Sequence, residues 1–176
     1  MGQLGDVIQG IGTRSLDVAE AMLNGYDAER FARIPEGKAG HINTNHAAWH
    51  YGHLSVYPVR ILAMGGIESS DVAPVPDGWG ELFDAGSECK DDPNGSIYPS
   101  MADVSDYFFA SYRGLVSALA ATPDERLLGD HNGPDGFKQR FPTYLSATTF
   151  MVGSHIMMHL GSVSVLRRCE GLGSAF

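Results

Sequence analysis

Apolar side chains return every three to five residues along most of this chain. Leu4, Ile8, Ile11, Leu16, Ala19 and Leu23 form one such stripe over residues 3–26, with Asp17, Glu20 and Asp27 on other faces. That period predicts a helix. Glycines at 5, 10 and 12 dilute its first half. A second stripe over residues 44–64 contains Ala48, Trp49, Tyr51, Leu54, Val56, Ile61 and Leu62, and stops at Gly65-Gly66. Pro58 lies within it. A proline removes one helical hydrogen bond and crowds the preceding turn, so a kink is expected over residues 54–57. The third pattern, residues 100–121, opens with the capping-box-like Ser100-Met-Ala-Asp103 and carries Phe108, Tyr112, Leu115, Val116 and Leu119. The fourth, residues 143–170, starts after an N-cap threonine, Thr143, and ends at Gly171. Arg167 and Arg168 in its last turns suit the helix dipole and a dimer edge better than catalysis.

The stretches between these patterns are polar and dense in Gly, Pro and Asp. Residues 66–99 include VAPVPDGWG and KDDPNGSIYP, and residues 122–142 run through HNGPDG. No useful length of alternating strand pattern occurs. Four long helices, one long connection and no strands predict an all-α four-helix bundle. The expected organisation is a single domain over residues 1–176, with a long crossover between the second and third helices.

Composition narrows the function. The 176 residues carry a formal charge of −9 with three lysines and no basic run. Nucleic acid and anionic lipid are therefore poor partners, since phosphate contacts need clustered Lys or Arg. MGQLGDVIQG has no basic leader region, and Asp6 stands where N-myristoylation wants Ser or Thr. No uninterrupted apolar run approaches the ~18 residues of a membrane helix. Cys89 and Cys169 form no paired motif and are expected to be free. Together these features point to a cytoplasmic protein.

The candidate chemistry lies in the histidines. Five of the seven fall on two helical stripes: His46, His50 and His53 at i, i+4 and i+7, and His155 and His159 at i and i+4. Two imidazoles from one helix and a third from another make a three-histidine metal site with an open position, the catalytic pattern for zinc; imidazole also suits nickel, cobalt and iron. A zincin is excluded because Ile156 stands where H-E-x-x-H needs its glutamate. A di-iron site is excluded because no carboxylate precedes His53, His155 or His159 by three residues.

NTNHAAWHYGHLSVYPVRIL resembles the second-helix signature of the DinB/YfiT-like superfamily, and VGSHIMMHLGSVSVLRRCEGLG resembles its fourth-helix signature. WGELFDAGSE followed by YPSM is similar to that family's crossover and the start of its third helix. The resemblance covers most of the chain from about residue 41. It implies a four-helix bundle holding nickel or zinc on His53, His155 and His159, with His50 the alternative to His53. It also implies a homodimer and, among relatives, thiol-dependent transferases using a low-molecular-weight thiol.

On this reading the chain is a metal-dependent thiol S-transferase acting on a small molecule. The alternatives are a metal-dependent hydrolase and a non-catalytic, metal-stabilised structural protein. Trp49, Tyr57, Met157 and Met158 are candidate pocket walls. Arg60, at i+7 from His53, is placed to anchor an anionic group of the thiol cofactor, so Arg60, Tyr57 and Trp49 form the candidate cofactor site. Pro58 bears on the placement of Tyr57 and Arg60.

Overall fold

The computed structural model describes residues 2–38 and 40–176. In chain order the elements are α1 (Gln3–Leu23), α2 (Ala28–Phe31), β1 (Glu36–Gly37), β2 (Gly40–His41), α3 (Ala47–Ser55), α4 (Tyr57–Gly65), α5 (Trp79–Phe83), α6 (Met101–Ala120), α7 (Asp124–Leu128), α8 (Asp135–Arg140), α9 (Tyr144–Thr149), a π-helical turn (Phe150–Ser154) and α10 (His155–Cys169). The chain is therefore mostly helical, as its periodicity implies. Among the described residues the only sheet is the antiparallel hairpin pairing Glu36 with His41 and Gly37 with Gly40.

Local chemistry explains most boundaries. The second apolar stripe breaks at Val56, and Pro58 falls in the first turn of α4, where its missing N–H is no loss. Gly66 takes φ 62° just beyond α4. Thr143 and Ser146 form a reciprocal capping box that starts α9. Ser100 Oγ accepts the Asp103 amide at 3.1 Å and donates to its carboxylate at 2.7 Å, which starts α6. The connections hold more structure than expected: α2, α5, α7 and α8 are each of six residues or fewer, too short for a periodic signal.

The described residues gather into two compact units. The first comprises residues up to Asp17, Tyr57–Pro74 and Phe109–Met157. Ile8, Ile61, Tyr112, Leu115, Leu119, Tyr144 and Val152 are buried in it. The glycines of α1 have a purpose here: a Cβ on Gly5 would strike the Ala120 carbonyl, and one on Gly12 would strike Val116, so these residues let α1 approach α6 closely. Arg126 donates to the Gly65 carbonyl at 2.9 and 2.7 Å and covers the Tyr144 ring, whose hydroxyl donates to Ile61 O at 3.0 Å.

The second unit comprises Val18–Val56, Val75–Phe108 and Met158–Phe176. Tyr51, fully buried, donates to the Ala19 carbonyl at 2.6 Å and packs edge-on against Phe108. Asp91 accepts from Arg33 and from the Ile34 amide, and Asp92 accepts the amides of Ser96, Ile97 and Tyr98, so the end of the 66–99 connection is well pinned. Arg167 lies in the last turn of α10, where the dipole expectation puts it, but it is turned inward. Only 3% exposed, it donates to the carbonyls of Met22 and Asn24 at 2.8 and 2.5 Å and so satisfies the open C-terminus of α1.

One segment, Tyr144–Cys169, is long and apolar enough to cross a membrane by length and composition, with mean hydropathy 1.3. A helix that carries a core face passes the same test. Tyr144, Ala147, Val152, Ile156 and Leu160 supply such a face here.

Candidate metal centre

α3 and its N-cap carry three buried histidines, and each is used differently. His46 is the N-cap. Its Nδ1 accepts the Trp49 amide at 3.0 Å and its Nε2 donates to the Lys90 carbonyl at 3.1 Å, so both ring nitrogens are engaged. Burial pushes its pKa down to about 4 and keeps the ring neutral. His50 is pushed down to about 4 as well, first by burial and then by the neighbouring imidazoles of His46 and His53.

His53, one turn further on, lies 2.7 Å through Nδ1 from the Phe83 carbonyl. A carbonyl only accepts, so Nδ1 carries the proton and Nε2 keeps its lone pair. The local cause is Gly52. A Cβ there would collide with the Phe83 ring, and its absence lets α5 settle on α3 with the Phe83 carbonyl at His53. Trp49 braces the face of the same imidazole: its indole lies nearly parallel to the His53 ring, with centroids 4.6 Å apart and planes 9° apart. That indole is anchored by Nε1–H donation to Ser87 Oγ at 2.9 Å, and Ser87 donates in turn to Leu82 O at 2.8 Å.

The other pair rides on α10. His155 is its first residue, and its amide bonds to the Phe150 carbonyl five residues back, the last bond of the π turn. A π turn inserts an extra residue into the helical ladder and re-phases the helix beyond it. It therefore decides which way His155 and His159 face. His155 packs edge-on against Tyr57, centroids 5.0 Å apart, and obliquely against Phe150. His159 lies with its ring centroid 4.7 Å from that of His53.

One ligand atom from each of His53, His155 and His159 lies within 4.8 Å of the other two, the one such His, Cys, Asp or Glu cluster among the described residues. The set fits a divalent ion. It is all imidazole, one member carries its proton on the nitrogen that faces a carbonyl, and tetrahedral zinc with bonds of ~2.0–2.1 Å needs nitrogens ~3.4 Å apart.

The remaining histidines stay out. His131 is buried between the Phe141 carbonyl and the Gly133 amide, and His41 is exposed in the hairpin. Both cysteines are free thiols, and burial pushes Cys89 up to about 11, away from the thiolate a metal prefers.

A cavity of about 380 Å3 is lined by Tyr57, Arg60, Ile61, Met64, Pro134, Phe137 and Met151. Tyr57 belongs to both places, lining the cavity and packing on His155. Arg60 is exposed, with its guanidinium 5.6 Å from the Tyr57 ring centre. Met157 and Met158 are not walls of it. They stand 44% and 64% exposed on α10. Met64 and Met151 line the cavity instead. Phe83, Ser87 and Phe137 carry no sequence signal of their own. For Phe83 the available signal was the Gly52-His53 pair, a glycine where a helix tolerates it poorly.

No family model matches the chain, and no curated protein matches it.

Proposed function

We propose that this chain is a DinB/YfiT-like four-helix bundle that binds one divalent ion, nickel or zinc, on His53, His155 and His159. In this reading the four helices are α1, α3 with α4, α6, and α9 continued through the π turn into α10. The observation that carries the reading is the three-imidazole cluster within 4.8 Å, with His53 held at Nδ1 by Phe83. The activity that fits best is thiol S-transfer to a small apolar electrophile, in a cytoplasmic homodimer.

When bound, such an ion with an open position supplies Lewis-acid activation of a small nucleophile near neutral pH. The protein's own residues do the rest. Trp49 and Phe83 orient His53, and Tyr57 braces His155. The apolar lining contributed by Ile61, Met64, Phe137 and Met151 takes the hydrophobic part of a substrate and excludes water. Arg60 at the cavity meets the anionic group of a thiol cofactor.

The test is metal analysis of protein purified without added metal, followed by thiol titration of the cobalt-substituted form. Near-stoichiometric metal and a thiol-dependent change in the cobalt spectrum are expected. A second reading is favoured by the origin of the ligands, two helices about 100 residues apart in sequence: the ion serves as a structural tie. Chelation that sharply lowers Tm, together with no spectral response to any thiol, selects that reading over the enzyme.

A further inference from the structure

We propose that His50 is a positioning residue for the metal centre: its Nδ1 accepts the Nδ1–H of His159 and so presents the Nε2 lone pair of His159 to the ion. The inference rests on the metal reading above and goes beyond it by assigning a role to the second histidine of α3.

The two Nδ1 atoms lie 2.9 Å apart. At that distance they share one proton, with one nitrogen donating and the other accepting. An imidazole that binds a metal does so through an unprotonated nitrogen and carries its proton on the other. With Nδ1 of His159 engaged by His50, Nε2 is the coordinating atom, and Nδ1–H is the donor. His50 must then hold its own proton on Nε2. That atom is buried, and the backbone of Asn45, five residues earlier, is a further hydrogen-bonding neighbour of the His50 ring.

The placement suits this role. His50 is 5% exposed and is held edge-on to Trp49, centroids 5.7 Å apart and planes at 84°. Trp49 also stacks on His53. One anchored indole thus braces the ring that orients His159 and the ring that ligates from α3. The two ligands are oriented alike from Nδ1, His53 by a main-chain carbonyl and His159 by a neighbouring imidazole. Ligating histidines commonly have such partners, and losing one typically weakens metal binding ~10–100-fold. A His50 ring that accepts at Nδ1 and carries its proton on Nε2 has no lone pair left for the ion.

Long-range 1H–15N NMR of the zinc-loaded full-length protein reads the tautomers directly. The expected result is His159 as Nδ1–H with Nε2 on zinc, and His50 as Nε2–H. His159 as Nε2–H, with both rings bound to zinc through Nδ1, overturns the proposal. Zinc titration of three variants adds a second readout. His50→Leu is expected to bind ~10–100-fold more weakly while still saturating at one ion per chain. His50→Asn, whose amide oxygen reaches the Nδ1 position, should recover most of the affinity; His50→Gln, which reaches the Nε2 position, should not. Unchanged affinity in His50→Leu, or equal affinities for Asn and Gln, overturns the proposal. So does loss of saturable binding in all three, which would make His50 a ligand. If His50→Leu fails to fold, the Asn and Gln pair decides. A wild-type protein that binds no zinc defeats the metal reading itself.

Discussion

α3 and α10 both carry histidines at helical spacing, and they treat them in opposite ways. At α3 the three rings at i, i+4 and i+7 are all buried, and the first spends both nitrogens on the backbone. On α10 the pair at i and i+4 is packed against aromatic rings and His50. The α10 pair comes into position because one helix carries both. The α3 trio is sorted by what packs against it: Lys90 claims His46, and Phe83 turns His53 towards the cluster. Equal spacing therefore does not mean equal role. What packs against each ring decides whether it joins the cluster.

Removing ligands is the most direct way to break this contrast. His155→Ala with His159→Ala should take bound metal from near one ion per chain to near zero by elemental analysis, and His53→Ala should do the same. His46→Ala should keep its metal and lose stability instead, by ~1–2 kcal/mol from the lost cap, read by denaturant melts. A His46 variant that loses metal while remaining folded would reverse the assignment within α3.

The next effect tests why His53 is selected. Gly52→Val drives a side chain into the Phe83 ring, and overpacking of that kind costs ~1–3 kcal/mol. Because the same shift moves the Phe83 carbonyl from His53, zinc affinity should fall along with stability. A destabilised variant with wild-type affinity would separate the two.

The pH response sharpens the contrast at His46. Its folded pKa of about 4 lies below the ordinary value of 6.5. Between these values the unfolded chain takes up a proton that the folded ring refuses. The contribution is thus complete above pH ~6.5 and is lost as pH falls towards ~4. Metal-free wild type should lose ~1–3 kcal/mol more than His46→Asn between pH 7.5 and 4.5, measured by urea unfolding. Parallel pH profiles would show that His46 is not buried in its neutral form. The smallest expected effect lies at the start of the other helical arm: Thr143→Ala should cost ~1 kcal/mol by removing the capping box, with metal affinity unchanged.

Much of the secondary structure could be read from local chemistry. Thr143, Ser100, Pro58 and Gly66 each act on their own turn, so their effects need no tertiary partner. The π turn at Phe150–Ser154 had no such signal, since FMVGS is compatible with an ordinary helix. Nor did the inward turn of Arg167, whose partners are carbonyls more than 140 residues away in sequence. The short helices and the hairpin were missed because segments of two to six residues cannot display a period.

By itself the sequence determined that the chain is mostly helical, where α6 and α9 begin, and that His155 and His159 share a face. These are consequences of backbone sterics, capping and a period of 3.6 residues, which act over one or two turns. Only the tertiary structure decided that His53, rather than His50, stands in the cluster with His155 and His159, that Tyr57 both packs on His155 and lines an apolar cavity, and that Arg167 is an internal cap. Those outcomes depend on which carbonyl or ring arrives from a distant segment, and no local pattern encodes that arrival.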